Sequence, residues 1–418
     1  MKIMDDPTHL PPWDLPPSVT SRFVDTSPVG LKVHILEALP RQTHHKHRRP
    51  PLILLLHGFP NLSYDWRFIM DMLANACYHV VAPDMRGFGR SHNADLSPIH
   101  QDTIRPLTAV RDIVGLVHAL GYESIHTLVG HDLGAFAAAI TALSRPDMVK
   151  SLVLMAHPWK GISRRSFGKD GPPAALASVT LTPEVPTWEK TRDPQIHSSL
   201  AKLDPPRKHY KWYNASEASN NDWTFPTGQP LRDFLRGYFH VKSGAYTRNN
   251  PRKLQSWTAE EMAVMPHYYI MRADLPVREN IQLDMAGEPQ DVVDRLSETR
   301  WLTDAALGVY EQEFTRNAFR DALLWYRVLT DPVHQADLYH LAGLKLSMPT
   351  KYVSGTRDWG TYQNPGALEA CEQGVSVEPA CWRGTVPIEG AGHWVNMEKP
   401  VECTTEILRI AGSVARSR

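Results

Sequence analysis

The sequence predicts an α/β protein: a mostly parallel, doubly wound sheet interrupted by a long helical insertion. Strand-type and helix-type runs alternate from Pro51 to Met155, the rhythm stops over residues 159–330, and it resumes at Met348. Alternation of this kind means parallel strands, because each parallel crossover needs a helix on a sheet face. In order, residues 1–20 are rich in proline and read as an extended arm, and β-type runs such as Leu31–Ile35 follow within residues 21–38. Arg41 to Pro50 carries His44, His45 and His47 among four cations with no carboxylate, which is a solvated loop rather than a metal site. Pro51–Leu56 is a buried strand, residues 62–76 have helical spacing and Tyr78–Ala82 is a strand. Leu107–Leu120 is a helix with Val110, Ile113, Val114, Val117 and Leu120 on one face. Ile125–Val129 and Lys150–Met155 are strands, and between them Gly134–Leu143 is a helix of small residues suited to close packing. After the insertion come a strand at Met348–Ser354 and a closing helix at 400–412. The expected organisation is an arm (1–20), a core built from 21–158 and 331–418, and a helical cap at 159–330.

Of the 418 residues, 42% are hydrophobic and 22% charged, an ordinary globular balance. The 45 basic and 45 acidic residues cancel, so charge gives no argument for nucleic acid, an anionic membrane surface or a polyanionic substrate. That points to small, neutral ligands. Cys77, Cys371, Cys381 and Cys403 have no metal-ligand spacing; Cys371 and Cys381 flank one loop-like stretch, and reduced thiols are expected there. The first residues lack the apolar segment of a signal peptide, Leu52–Leu56 is too short to span a bilayer, and Ala415–Arg418 matches no lipidation or peroxisomal address. The expectation is a cytoplasmic protein with no membrane span, monomeric or homodimeric.

Chemistry concentrates in Leu128-Val-Gly-His-Asp-Leu-Gly-Ala. A strand, a Gly-x-x-x-Gly turn and a helix make a nucleophile elbow, which lifts its central residue over the end of the sheet. Gly130 and Gly134 let strand and helix approach closely, His131 precedes the central position, and that position is Asp132. The start of a helix favours an anionic carboxylate. An N-cap role alone would place an Asp there too, but it leaves the flanking glycines and the partners below unexplained. A carboxylate in place of the usual serine needs no base before it attacks. It suits displacement at saturated carbon, leaving an alkyl ester of the enzyme that water must then cleave with help from a base.

The partners follow in the chain order nucleophile, acid, histidine. His393 stands in Gly390-Ala-Gly-His-Trp shortly before the closing helix, and Asp358 follows the strand ending Tyr352-Val-Ser-Gly. Asp358 would orient His393 and stabilise its imidazolium; Asp331 and Asp337 are weaker rivals because no strand precedes them. Backbone N–H groups for an oxyanion are expected from Leu133, after the nucleophile, and from Phe59 in His57-Gly58-Phe59-Pro60, after the first core strand. Gly58 allows that loop to turn and Pro60 stiffens it.

His57-Gly-Phe-Pro, Asp84-Met-Arg-Gly-Phe-Gly-Arg-Ser, Gly130-His-Asp-Leu-Gly and Gly392-His-Trp resemble the epoxide hydrolases and their haloalkane dehalogenase relatives, over roughly residues 25–158 and 340–412. The resemblance implies the α/β-hydrolase fold with an inserted helical cap, an Asp nucleophile, a small-molecule epoxide substrate and no metal or organic cofactor. It also implies two cap tyrosines that hold and protonate the epoxide oxygen. One lies in a Trp-Tyr-Arg signature, here Trp325-Tyr326-Arg327, although the Gly usual upstream is Ala318. The other matches Tyr269 in His267-Tyr-Tyr-Ile-Met-Arg, with Tyr268 in reserve; the Phe-Gln normally following is Ala273-Asp274 here. Packing alone would also account for buried cap tyrosines. Trp394, beside the histidine, is a candidate for substrate contact. Haloalkane dehalogenases usually hold halide with a Trp after the nucleophile; here that residue is Leu133, which has no side-chain N–H. A dehalogenase, an epoxide-opening cyclase and a non-catalytic receptor remain the alternatives, and a cap of about 170 residues rich in Trp, Tyr and Pro suggests a bulky apolar epoxide.

Overall fold

A computed structural model describes residues 6–41, 49–162 and 194–414. The histidine run at 44–47, the first and last few residues and the segment 163–193 lie outside the described residues.

The branched apolar run Leu52–Leu56 forms β3, every residue of it buried. Around it the described residues build a nine-stranded sheet from β1 (Thr20–Thr26), β2 (Leu31–Ala38), β3, β4 (His79–Pro83), the two-residue β5 (His92–Asn93), β6 (Thr127–His131), β7 (Leu152–Met155), β10 (Thr350–Gly355) and β11 (Trp382–Ile388). The order is β1-β2-β4-β3-β6-β7-β10-β11, with β5 on β2. β1 and β5 run antiparallel to β2, and β2 antiparallel to β4; all other pairs are parallel. In register, Leu56 lies beside Gly130, His131 beside Met155, and Val353 beside Met155. The carboxyl ends of β3, β6, β7 and β10 therefore share one edge, where open α/β sheets bind ligands. Helices α1 (Arg67–Asn75), α2 (Pro106–Ala119) and α3 (Leu133–Ser144) cover the faces. The alanines of α3 let it sit close against the central strands, with Ala135 through Ala139 all but Phe136 essentially free of solvent contact. This is an α/β-hydrolase fold.

Several details depart from the sequence expectation. β6 begins at Thr127 and runs to His131, because Ile125 makes only an isolated bridge to Val149. β11, with Gly384 and Pro387 inside it, gave no strand signal; such residues are tolerated at the sheet's edge, where it lies. The insertion is not purely helical: β8 (Arg207–His209) pairs antiparallel with β9 (Ile270–Arg272), strands too short to show alternation. The N-terminal arm is docked rather than free. Trp13 is buried against the rings of His34 and Tyr64, and its Nε1–H donates to Glu313 in the insertion. Cys371 and Cys381 form no disulfide. No helix among the described residues is long and apolar enough to cross a membrane.

Candidate active site

β6 delivers the chain to Asp132 and α3 carries it away from Leu133. Asp132 takes φ 53° and ψ −116°, a strained conformation for a residue with a side chain. Its N–H donates to the Met155 carbonyl at 3.1 Å, tying the turn to β7. A Cβ on Gly130 would strike the backbone of Gly134, and one on Gly134 would strike the Leu56 carbonyl. Only glycine lets α3 fold back so closely over β3 and β6. A Cβ on Gly58 would meet the Asp132 side chain, so the loop after β3 is equally close. That approach brings the Phe59 N–H to 3.0 Å from Asp132 Oδ1. Leu133 opens α3, and its N–H is among those that no helix carbonyl can take. Pro60 follows Phe59 through a cis peptide. His57 Nδ1–H donates to the Gly58 carbonyl at 2.8 Å, and its Nε2 accepts from Met85 N–H at 3.0 Å. The ring thus joins the loops after β3 and β4. Burial lowers its pKa, keeping it in the neutral form this pattern needs.

The loop after β11 brings in His393. Its Nδ1 is 3.1 Å from Asp358 Oδ1 and its Nε2 is 3.5 Å from Asp132 Oδ2. The second distance is too long for a good hydrogen bond, and Nε2 has no hydrogen-bond partner among the described residues. Asp358, just past β10, is fixed by the Gly360 N–H at 2.7 Å and the Ser354 hydroxyl at 3.2 Å. His131 Nε2–H donates to the His393 carbonyl at 2.7 Å, and burial holds that ring down to about 4, neutral. The weaker rivals stand apart: Asp331 caps the helix Pro332–Ala336, and Asp337 pairs with Arg105 at 2.7 Å.

Electrostatics separate the two ends of this array. Burial would raise the Asp132 carboxyl, but His393, Lys242 and His131 outweigh it and hold the group well below its ordinary range. Burial and then Lys242 press His393 down, yet Asp358 and Asp132 leave it raised overall. Asp132 is therefore anionic, and His393 senses both carboxylates.

Over this edge the insertion places a group of aromatic rings. Tyr326 lies in the helix Arg320–Thr330 and Tyr269 just before β9. The Tyr210 ring stands between them, 4.9 Å from Tyr269 and 5.8 Å from Tyr326, and its hydroxyl donates to Gln363 at 2.8 Å. Phe59 packs edge-on to Tyr326 at 5.2 Å, which links that ring to the loop holding Asp132. Tyr269 keeps a buried hydroxyl with no partner among the described residues, whereas Tyr268 donates to Asn249 Oδ1 at 2.7 Å. The Tyr326 hydroxyl faces the Asn214 side chain. Burial first, then nearby carboxylates and tyrosines, raises Tyr269 and Tyr326 well above the usual phenol range, so both stay protonated. Trp394 is fully buried with its Nε1–H already donated to the Phe239 carbonyl at 2.7 Å, and its ring lies 4.7 Å from His393. Sequence reasoning missed Tyr210, Tyr238, Gln363 and Lys242. None sits in a recognisable motif, and only the folded chain shows which of these side chains turn inward.

A family model described as alpha/beta hydrolase fold matches residues 51–171. Epoxide hydrolase B of Mycobacterium tuberculosis is 29% identical over 92% of this chain and 96% of its own length. Epoxide hydrolase 3 of Siraitia grosvenorii is 27% identical over 90% and 94%. An epoxide hydrolase structure from an endophytic Streptomyces superposes with a TM-score of 0.69 at 25% identity, covering 95% of this chain and 96% of that one. With the elbow in place, the chain has the α/β-hydrolase fold and is similar over most of its length to proteins named epoxide hydrolases.

Proposed function

We propose that the enzyme opens an epoxide with water to a vicinal diol through an alkyl ester on Asp132. The observation that carries this reading is the division of labour at one carboxylate: Oδ1 is held by the Phe59 N–H, and Oδ2 is left on the side of His393. Oδ2 attacks a ring carbon as the carbon–oxygen bond of the ring breaks. The ring oxygen takes a proton from Tyr269 or Tyr326, which polarise it from the cap side. The phenolate left behind is reprotonated by the His393 imidazolium, leaving His393 as free imidazole. His393 Nε2 then takes a proton from water, whose oxygen adds to the ester carbonyl carbon. Oδ1 becomes the oxyanion, stabilised by the N–H groups of Phe59 and Leu133. Collapse breaks the bond to the diol, and Asp132 returns as an anion with His393 as imidazolium. Asp358 fixes the imidazole tautomer and orientation. His57, Gly58, Pro60, Gly130, His131 and Gly134 shape the loops that hold these groups.

The substrate we assign is a bulky apolar epoxide, because Tyr210, Trp223, Tyr238 and Phe59 supply aromatic surface over the site. Higher kcat/KM for an aryl or long-chain epoxide than for propylene oxide supports this; the reverse order removes it. The mechanism is tested with His393→Gln, which should still alkylate but not hydrolyse. Intact-protein mass should then rise by the mass of one epoxide, with the adduct on the peptide holding Asp132. An epoxide-consuming variant that forms no adduct would contradict the reading.

A further inference from the structure

Lys242 follows the cap helix Gln229–Val241 and is only 3% exposed. Its ammonium has no carboxylate within ion-pair distance among the described residues. Its one hydrogen bond there is a long one, 3.4 Å, to the Tyr238 hydroxyl. Instead it is caged by rings, with Nζ 5.1 Å from the centre of Tyr269, 5.2 Å from Tyr238 and Trp394, and 5.9 Å from Tyr268. Cation–π contacts stabilise a desolvated ammonium, but a buried charge without a counter-ion is still unfavourable. The backbone ties this cation to the base, because the Lys242 carbonyl accepts the His393 N–H at 2.8 Å.

We propose that Lys242 is a positioning residue for the base: a caged cation that cancels the charge of Asp358 once Asp132 is esterified, so that His393 stands as free imidazole when water must be activated. The inference rests on the epoxide reading above and follows from counting charges. In the free enzyme Asp132 and Asp358 are balanced by Lys242 and an imidazolium. Alkylation turns Asp132 into a neutral ester, and Asp358 and Lys242 then balance with the imidazole uncharged. The proton given up by the imidazolium equals the one the ring oxygen gains, so ring opening takes no net proton from solvent. Ester hydrolysis, which releases one proton, restores the imidazolium.

The other groups around His393 stay the same before and after alkylation, so they do not alter the change in charge. His131 and His157 are held down to about 4, chiefly by burial, and are neutral. Tyr210, Tyr238, Tyr268 and Tyr269 are held as phenols, again chiefly by burial. Glu398 accepts from Gly244, Gly392 and Trp394 N–H groups, and burial raises it to about 7. It braces the same loop and is present both before and after alkylation. Lys242 itself is lowered by burial to about 8, with Asp132 and Asp358 opposing, and remains mostly charged at neutral pH. Lys211 in the cap is likewise lowered to about 8 by burial, and it faces Asp132 and Lys242. It too is unchanged by the reaction.

The test needs no substrate. Asp132→Asn stands in for the uncharged ester, and His393 is titrated by NMR of 15N-labelled histidine, its signal identified by loss in His393→Gln. Asp132→Asn should lower the His393 midpoint relative to the wild type. Adding Lys242→Met should raise it again by about one pH unit, while Lys242→Arg, which keeps the charge, should leave it low. Methionine matches the length of lysine and suits an aromatic cage, so the double variant is expected to fold. An unchanged midpoint with methionine overturns the proposal, as does an equal rise with arginine. Failure of the epoxide reading would show separately, as absence of the adduct in His393→Gln.

Discussion

At the scale of single residues, the site depends on which polar atoms are already engaged. Tyr268 and Tyr269 are adjacent in sequence, yet Asn249 occupies one hydroxyl and nothing among the described residues occupies the other. A phenol that must donate to an epoxide oxygen needs that freedom. Tyr269→Phe and Tyr326→Phe are each expected to slow alkylation by about 10²-fold, measured as single-turnover adduct formation. Tyr268→Phe should change that rate by no more than about a factor of three, since it removes a bond outside the chemistry. Equal losses at Tyr268 and Tyr269 would reverse the assignment. Trp394 similarly has its indole N–H committed to Phe239, so any contact it makes with substrate is through the ring face.

At the scale of elements, the elbow was legible because its glycines are dictated by backbone contact. Gly130 and Gly134 meet carbonyl and main-chain atoms that cannot move aside, so this geometry leaves a spacing signature. The alternating strands and helices were legible for a related reason: β3, β4, β6 and β7 are buried along their whole length, and β3 and β7 read as continuous apolar runs. The short cap strands, the edge strand β11 and the inward lysine carry no such pattern, since each is decided by contacts distant in sequence. Glu313 is the clearest case. It lies buried in the cap helix Asp304–Asn317 and binds Arg90 of the core at 2.7 Å, Arg316 of its own helix and Trp13 of the arm. Three segments meet on one carboxylate. Removing one partner of such a pair leaves a buried charge uncompensated. Glu313→Ala should therefore lower the unfolding free energy by about 3–5 kcal/mol in urea denaturation; a loss under about 1 kcal/mol would show that the cap docks without this junction.

At the scale of the whole molecule, zero net charge hides strongly coupled interior groups. Asp84 is buried, which would raise it, but His34, His57 and the Arg90 N–H hold it well below its ordinary range. Glu37, opposed in the same way by burial, is held at about 2 by Arg22 and His79. Both clamp β2 to its neighbours. A carboxylate with a depressed folded-state pKa contributes stability fully above its unfolded value and loses it as pH falls towards the folded one. The contribution of these two carboxylates to the unfolding free energy should thus be level near neutrality and fall steadily below about pH 4. Asp84→Asn should flatten that acid limb in denaturation series at several pH values, and an unchanged slope would exclude Asp84 as its source. A single turnover of a bulky aryl epoxide in water enriched in heavy oxygen identifies the nucleophile. Label is expected in the peptide carrying Asp132, with an unlabelled first diol, because the diol's new oxygen comes from Oδ2 and water restores the carboxylate. Label in the diol alone, with none at Asp132, would mean that water attacks the ring itself and that no ester forms.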